Sequence, residues 1–509
     1  MARSPLSYFA LALLMVASAA VTIVPVSFAQ PASVACGSTL TGANTLTADV
    51  GPCTGAGVII GASGTTLNCA GHTILGTGTG VGINITGFTK VTVTGCHVVD
   101  FNNGIYLSSV SLSSLTKNTA ADNVANGFYL SSSSNNKLTS NTATSDNGTA
   151  FYVTGSSLDT FTKNVATSSP IGFDVITSTR NSFVANSATG DTYGFDVFTS
   201  SNSNTFASNS AKNNLITGFY FSGSSSNTLT SNIGNSNGQG FYFLGSSSNT
   251  LTKNVANTNT NYGFYLSTSS NSNKFTSNTA TNNHLYGFYF SSSSGNKLAS
   301  NSATGNFVTG FLFLYSNGNS LSSCTSTSNV AYGFSFGSSS SSTLTSDKAT
   351  GNVYGFYFSG SNGNTLTKNS ATKNGYYGFG LGSSSSNTLT SNSATSNVAY
   401  GFLIWSSTSN SLTSNTANSN VVGFSFSSVN ANTLNKNTAN SNTNNGFVFT
   451  SSSGNTLTSN TANNNKMYGI TDDSFGHGTN GTGNTYVTNK CNGNGLAGSN
   501  PLGLGAPQP

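Results

Sequence analysis

The stretch from Gly218 to Gln239 reads GFYFSGSSSNTLTSNIGNSNGQ, and close variants of it fill most of the chain. Apolar residues alternate at Phe219 and Phe221 and return at Leu229 after a Ser-rich bend, which is the periodicity of short β-strands. Ser, Asn and Gly at this density favour turns, and no repeat places apolar residues at helical spacing over ten or more positions. Each unit is therefore predicted to form three short strands and no helix.

A Gly-Phe pair or a close variant marks every unit. The markers stand at Gly82, Gly104, Gly127, Ala150, Gly172, Gly194, Gly218, Gly240, Gly263, Gly287, Gly310, Gly333, Gly355, Gly378, Gly401, Gly423, Gly446 and Gly469. The 17 intervals average 22.8 residues, and each is 22 to 24. One unit has too few apolar side chains for a core of its own, so successive units must stack. The period predicts an all-β fold, a parallel β-helix (solenoid) of about 19 coils, right-handed because parallel crossovers almost always are. A leucine-rich repeat has a similar period, but its strict Leu spacing and helical segment are missing.

Asn recurs in two columns at fixed distances from the central Leu or Phe of each unit. The first column contains Asn118, Asn141, Asn164, Asn186, Asn209, Asn232, Asn254, Asn278, Asn301 and Asn369, and the second contains Asn227, Asn249, Asn296 and Asn364. Stacked amides can donate to and accept from the coils above and below, so these Asn residues are predicted to be structural. Cys324 and Asp347 replace Asn in the first column, which indicates a buried thiol above a carboxyl group or, alternatively, a reactive pair.

Composition and the N-terminus limit the class of protein. The chain is 11% aromatic, only 5% charged and carries a formal charge of +5, so disorder is a poor interpretation. Its Lys residues are dispersed, so nucleic acid is not expected as a partner.

Residues 1–29 are predicted to be a signal peptide, with an uncleaved anchor or a lipoprotein signal as alternatives. No later segment is long and apolar enough to span a bilayer, and the mature chain is predicted to be secreted, extracellular or on the cell surface.

The predicted organisation after residue 29 has three parts: an N-terminal cap with the first coils at 30–81, the β-helix repeats at 82–490, and a C-terminal cap and tail at 491–509. Six Cys residues in an exported chain predict disulfides. Cys36 and Cys53 would clasp the first coil, and Cys69 and Cys96 fall at the same angular position on adjacent coils. The sequence leaves the pairing of the other two Cys residues open.

The two ends of the repeats resemble a known family. CGSTL at 36–40, DVGPC at 49–53 and TLNCAGHTI at 66–74 resemble the first coils, and NTYVTNKC at 484–491 the last coil, of right-handed parallel β-helix proteins of the pectin-lyase-like superfamily, in the repeat group of NosD type. The resemblance covers nearly the whole mature chain and implies the fold. It implies no single activity, because this superfamily includes lyases, hydrolases and binding proteins. NosD-type relatives are copper-accessory proteins, but Met467 is the only Met after the leader and soft ligands are scarce, so no metal site is predicted.

The second residue after each marker forms a column that is predicted to face outward. This column contains Tyr106, Tyr129, Tyr152, Asp174, Asp196, Tyr220, Tyr242, Tyr265 and Tyr289. Aromatic faces at a regular pitch suit the apolar faces of sugar rings, so Tyr152, Tyr220, Tyr242, Tyr265 and Tyr289 are the predicted glycan-binding residues. The alternative is that Tyr is simply a good exposed strand former.

Asp174 and Asp196 interrupt this column on consecutive coils, about 5 Å apart. Their repulsion should raise one pKa, and such pairs act as acid and base in glycoside cleavage or as ligands for Ca²⁺. Arg180 follows Asp174 by six residues and could neutralise the charge or hold an acidic sugar. The alternative is a solvated carboxylate pair with no catalytic role.

These observations leave three functions open. The first is a non-catalytic rod that binds a polysaccharide, a cell-surface glycan or another surface partner through the Tyr column. The second is a polysaccharide lyase or glycoside hydrolase that uses Asp174, Asp196 and Arg180. The third is an ice-binding or purely structural solenoid, because Thr-Leu-Thr recurs in the repeats, although Lys137, Lys274 and Lys297 interrupt that column.

Overall fold

The structure, a computed structural model, describes residues 34–474 and 482–504; the predicted signal peptide at 1–29 lies outside them. The described residues form three parallel sheets and no helix, wound in about 19 coils with a period of about 23 residues. None of them forms a helix that could cross a membrane. In each complete repeat a six-residue strand joins sheet 1, and two three-residue strands join sheets 2 and 3. The predicted all-β solenoid is confirmed.

The strands of each sheet follow one another along the chain. Sheet 1 consists of Ser38–Leu40, Val58–Ile60, Val81–Thr86, Asn103–Ser108, Asn126–Ser131, Thr149–Thr154, Ile171–Ile176, Tyr193–Phe198, Thr217–Ser222, Gln239–Leu244, Tyr262–Ser267, Tyr286–Ser291, Thr309–Leu314, Tyr332–Gly337, Tyr354–Ser359, Tyr377–Gly382, Tyr400–Trp405, Val422–Ser427, Phe447–Thr450, Tyr468–Asp472 and Ala497–Asn500. Sheet 2 consists of Ala43–Thr45, Thr66–Asn68, Thr92–Thr94, Ser114–Thr116, Lys137–Thr139, Thr160–Thr162, Ser182–Val184, Thr205–Ala207, Thr228–Thr230, Thr250–Thr252, Lys274–Thr276, Lys297–Ala299, Ser320–Ser322, Thr343–Thr345, Thr365–Thr367, Thr388–Thr390, Ser411–Thr413, Thr433–Asn435, Thr456–Thr458 and Thr485–Val487. Sheet 3 consists of Thr73–Leu75, His97–Val99, Thr119–Ala121, Thr142–Thr144, Val165–Thr167, Ser187–Thr189, Ser210–Lys212, Ile233–Asn235, Val255–Asn257, Thr279–Thr281, Ser302–Thr304, Thr325–Thr327, Lys348–Thr350, Ser370–Thr372, Ser393–Thr395 and Thr416–Asn418.

The core contains an unbroken column of Phe rings behind sheet 1. The Phe after each marker is fully buried, and the column runs from Phe128 to Phe447 with neighbouring ring centroids 4.6–4.8 Å apart. The marker itself is Gly because sheets 1 and 3 approach closely there: a Cβ at Gly263 would lie 2.6 Å from the carbonyl oxygen of Gly287 and 2.9 Å from Cβ of Ala280. In each Gly-Phe pair the Gly therefore allows the close approach of sheets 1 and 3, and the Phe ring stacks on the rings of the neighbouring coils.

Asn side chains form hydrogen-bonded ladders at the corners between the sheets. Asn141 Nδ2 donates to Leu115 O and to Asn164 Oδ1, both at 3.0 Å, and the same Oδ1 accepts the backbone N–H of Asn141 at 2.9 Å. The second predicted column is linked in the same way at Asn249, whose Nδ2 donates to Ser224 O at 3.3 Å and to Asn273 Oδ1 at 3.1 Å. The structure adds two columns that were not predicted. One consists of Asn and includes Asn214, Asn237, Asn259, Asn283 and Asn306, and the other consists of Ser and includes Ser201, Ser224, Ser246, Ser270 and Ser316.

Asp replaces Asn at four rungs of the Asn ladders, at Asp146, Asp159, Asp191 and Asp347. In each case Oδ1 accepts the backbone N–H of the preceding coil, whereas the buried Oδ2, which takes the place of the amide donor, has no partner. Burial raises the pKa of Asp159 to about 6 and the pKa of each of the other three to about 7. The ladders therefore favour the neutral carboxylic acid over the carboxylate.

Two disulfides join the first coils, Cys36–Cys53 and Cys69–Cys96, as the sequence predicts. Cys324 is buried in the first Asn column, and its backbone N–H donates to Asp347 Oδ1 at 2.7 Å. Burial raises the pKa of the Cys324 thiol, and that of Cys491, to about 12, so both thiols stay protonated at neutral pH. A protonated, buried thiol is unreactive, which favours the structural interpretation of Cys324.

Candidate functional site on sheet 1

Four of the predicted glycan-binding residues form a continuous stack on the outer side of sheet 1. Tyr220, Tyr242, Tyr265 and Tyr289 pair in register on consecutive strands and are half-buried. Their neighbouring ring centroids lie 5.0, 4.6 and 4.9 Å apart, and the planes differ by 28°, 12° and 11°. Neighbouring rings therefore cover each other's faces and leave ring edges and hydroxyl groups outward, which differs from the predicted row of open faces.

Tyr152 belongs to a separate stack at the other side of the Asp pair. Its ring centroid lies 4.9 Å from that of Tyr129, which lies 4.8 Å from that of Tyr106, and the planes are tilted by 53° and 51°. Tyr152 pairs directly with Asp174, and Asp196 pairs directly with Tyr220. The carboxyl pair thus separates two groups of Tyr rings on one face.

Asp174 and Asp196 are neighbours in register, but they are not solvated. Their side chains are shorter than the Tyr rings on both sides, and only 5% of Asp174 and 8% of Asp196 is exposed. Oδ1 of each is buried and has no hydrogen-bond partner. Burial, and secondarily the Asp196 carboxylate, raises the pKa of Asp174 to about 8, and burial raises the pKa of Asp196 to about 7.

The Tyr hydroxyls around the pair also have raised pKa values. Burial, and then the nearby carboxylates, raise the pKa of Tyr152 and Tyr193, and the pKa of Tyr220 rises for the same main reason. The predicted pKa shift is therefore present, but removal from water is its main cause, ahead of repulsion between the carboxylates. Two carboxyl groups in this state can hold and release protons near neutral pH.

Arg180 does not join the pair. It lies exposed in the turn after Ile171–Ile176, with a backbone φ of 59°, and its N–H donates to Asn202 O at 3.3 Å. In the part of the chain that the structure describes, the one ion pair joins His72 Nδ1 to Asp49 Oδ1 at 3.2 Å. The structure thus brings Asp174 and Asp196 together and leaves them without a cationic partner.

Charge is distributed unequally over the three sheets. The described strands of sheet 1 contain no Lys, Arg or His, and their charged residues are Asp174, Asp196 and Asp472. Sheets 2 and 3 carry Lys on their strands, at Lys137, Lys274, Lys297, Lys212 and Lys348. Sheet 1 is therefore the aromatic face, and it offers no cation to an acidic ligand.

A second aromatic cluster on sheet 1 was not predicted. It contains Tyr332, Tyr354, Tyr357, Tyr377 and Trp405, the only Trp of the chain. Its signal in the sequence is a column at the residue before the marker Gly, where Tyr stands at 332, 354, 377 and 400.

These features define a parallel β-solenoid repeat protein with one aromatic face and no cations on the strands of that face. Within that class, the chain belongs to the family described as periplasmic copper-binding protein (NosD), which matches residues 37–193, 187–323, 309–434 and 396–500. The predicted family resemblance is confirmed.

Solved structures resemble the chain weakly. The periplasmic alginate epimerase AlgG is 11% identical, with 78% of each chain covered and a TM-score of 0.30. The Dettilon tailspike protein (gp208) is 14% identical, with 63% of this chain and 60% of that chain covered and a TM-score of 0.30. The A-module of Azotobacter vinelandii mannuronan C-5 epimerase AlgE6 is 12% identical, with 76% and 86% covered and a TM-score of 0.23. No curated protein matches the chain at a significant level.

The described residues do not fit a copper centre. Copper in proteins is bound by groups of His, Cys and Met side chains. No three His, Cys, Asp or Glu side chains come together within residues 34–474 and 482–504. Four Cys residues are in disulfides, and the other two, Cys324 and Cys491, are buried. For Ca²⁺, which takes six to eight oxygen ligands, Asp174 and Asp196 supply two carboxyl groups with no third carboxylate beside them.

Proposed function

We propose that the chain acts outside the cytoplasm as a non-catalytic β-solenoid that binds an extended glycan along the outer face of sheet 1. The observation that carries this proposal is the stack of Tyr220, Tyr242, Tyr265 and Tyr289 at intervals of 4.6 to 5.0 Å. The described family is periplasmic, which supports a location where glycans occur. The ladders make the scaffold rigid, so little conformational entropy is lost when a ligand binds.

The stack suits a glycan through hydroxyl groups and ring edges. Tyr is well suited to binding because its ring is rigid and its hydroxyl group both donates and accepts. The Tyr242 hydroxyl lies 3.1 Å from Ser267 Oγ, which orients one member of the stack. A chain of sugars that lies along the sheet would meet an equivalent hydroxyl on each coil, so several weak contacts would add up.

The test is binding of polysaccharides to the double variant Tyr242→Ser and Tyr265→Ser. Ser is a natural residue of this column, at Ser335 and Ser425, so the variant should keep the fold. Soluble β-glucan, xylan, chitin oligomers, alginate and pectin are titrated by calorimetry. At least one should bind the wild type, and its affinity should fall roughly tenfold or more in the variant.

A control on another face is Thr250→Ser, which shortens a partly exposed side chain on sheet 2. Its binding should equal that of the wild type, and far-ultraviolet circular dichroism should show the same β-structure for all three proteins. A polysaccharide that binds the double variant as tightly as the wild type would contradict the proposal, as would the absence of any binding.

The Asp pair supports a second candidate, glycosidic-bond cleavage. Asp174 and Asp196 lie side by side, and their pKa values of about 8 and 7 allow one to donate and the other to accept a proton near neutral pH. An assay for released reducing or unsaturated sugars separates this candidate from pure binding. Release by the wild type that is abolished in Asp174→Asn would replace the non-catalytic proposal.

A further inference from the structure

The second aromatic cluster is built on two glycines. Gly380 and Gly382 stand at consecutive outward positions of one strand, where both adjacent coils carry side chains. A Cβ at Gly382 would collide with the indole of Trp405 and would lie 2.8 Å from its Nε1. A Cβ at Gly380 would lie 2.6 Å from both Cε2 and Cζ of Tyr377. The two rings therefore occupy the space that the missing side chains leave on the surface of the sheet.

The space above Gly382, the seat of Trp405, determines how the indole lies on the sheet. Trp405 pairs in register with Gly382 on the neighbouring strand, and three atoms of its indole lie close to the position that a Cβ of Gly382 would take. One side of the indole therefore rests on glycine backbone. Trp405 is partly exposed, and its partner on the following coil is the small Ser427, so no aromatic ring covers it from that side. The indole is thus the last ring of its cluster, whereas the inner rings of the stacked Tyr220–Tyr289 column have a ring on both sides.

Two neighbouring rings continue the stack behind Trp405. The ring of Tyr357 is nearly parallel to that of Trp405, with an angle of 11° and a centroid distance of 6.1 Å. Tyr332 follows Tyr357 at 5.2 Å and 16°. Tyr377 is only 4% exposed and fills the space beneath, and burial raises its pKa well above the usual range, so its hydroxyl stays neutral. The strands from Tyr332–Gly337 to Tyr400–Trp405 contain no charged residue.

We infer that Trp405, with Tyr357 and Tyr332, is the stacking subsite for a neutral pyranose chain. The inference rests on the proposed glycan-binding function and adds the place and the class of the sugar. A β-1,4-linked glucan has all its ring substituents equatorial, so its rings present flat C–H faces that suit an exposed indole. A uronate chain carries a carboxylate on every sugar, which this uncharged cluster cannot pair.

Intrinsic fluorescence tests the subsite directly, because Trp405 is the only Trp of the protein. Cellohexaose is titrated into the protein and compared with a β-1,4-linked glucuronate oligomer of the same length, which differs by its carboxylates. Cellohexaose should change the emission of Trp405, and the glucuronate should not. In Gly382→Ala the new methyl group displaces the indole from its seat, and the affinity for cellohexaose should fall roughly tenfold.

Gly337→Ala is the matched control. Gly337 lies in the same column two coils earlier, and a Cβ there would meet only the flexible end of Leu314. This variant should bind cellohexaose like the wild type. Equal binding by the glucuronate, or unchanged binding in both Gly382→Ala and Trp405→Ala, would overturn the subsite.

Calorimetry on the same samples separates the two proposals. If cellohexaose releases heat without a change in Trp405 emission, a glycan binds elsewhere on the protein, and only the subsite is refuted. If none of the polysaccharides tested under the proposed function binds, the glycan-binding function fails and the subsite fails with it.

Discussion

Asp347→Asn is expected to stabilise the protein, by an amount that depends on pH. In the wild type Asp347 is fully buried, and its Oδ2 has no partner. At the equivalent position of the same ladder, Asn392 Nδ2 donates to Leu366 O and to Asn415 Oδ1, both at 2.9 Å. An ionised Asp347 would instead point an oxygen at two acceptors, whereas Asn restores both hydrogen bonds.

The magnitude follows from the raised pKa of Asp347. Burial raises this pKa from the ordinary 3.8 to about 7. The neutral acid is thus stable in the fold, and the resulting contribution to stability is complete below about pH 3.8 and is lost as the pH rises through about 7. One pKa unit corresponds to about 1.4 kcal/mol, so the loss is on the order of 4 kcal/mol. Asp347→Asn should therefore gain most over the wild type at pH 8 and least at pH 4.

The assay is thermal and urea unfolding followed by circular dichroism at pH 4, 6 and 8. The reciprocal variant Asn392→Asp is the matched control, since it creates the same unpaired oxygen in the same column and should lose stability progressively from pH 4 to pH 8. An Asp347→Asn variant that is less stable than the wild type at pH 8, or that gains equally at pH 4 and pH 8, would refute the reasoning.

Three further predictions concern the other features. Asp196→Asn should lower the pKa of Asp174 below about 8, because the Asp196 carboxylate contributes to the rise of that pKa. A carbon-13 titration of the Asp174 carboxyl group measures the change. An unchanged pKa would show that the two carboxyl groups do not interact. Gly263→Ala places a methyl group 2.6 Å from the carbonyl oxygen of Gly287 on the next coil, so the free energy of unfolding should fall by about 1–3 kcal/mol. An unfolding midpoint equal to that of the wild type would contradict this close contact. Cys36→Ser removes the disulfide with Cys53, so the first coils should lose roughly 2–4 kcal/mol of stability and their amide hydrogens should exchange faster. Amide exchange that accelerates equally along the whole chain would contradict a local role of this disulfide.

The period of the sequence predicts the scaffold because the same residues meet on every coil. Phe219, for example, stacks on Phe241 only if the spacing between coils is constant, and the Gly-Phe markers show that spacing directly. The third Asn column escaped prediction because Asp146, Ser169 and Asp191 occupy the three rungs after Asn123, so that the repetition is interrupted near the N-terminus.

The site was less predictable because it depends on differences between coils. The burial of Asp174 arises from the greater length of the Tyr side chains around it, and alternation along a strand predicts only the direction of a side chain. The seat of Trp405 arises from Gly382 on another coil, 23 residues earlier, so neither residue indicates the site alone. A search for lone aromatic residues opposite glycines one period away would have found it.

The unbroken Phe column also has a consequence for the gene. From Phe128 to Phe447 every joint between coils has nearly the same aromatic surface, and each coil adds 4.6 to 4.8 Å. Unequal recombination that inserts or deletes one whole unit leaves the remaining joints unchanged, so the length of the protein can vary in steps of one coil while both ends keep their own closing structures. Recombination that inserts or deletes only part of a unit would place polar residues in the Phe column, and the resulting protein would misfold.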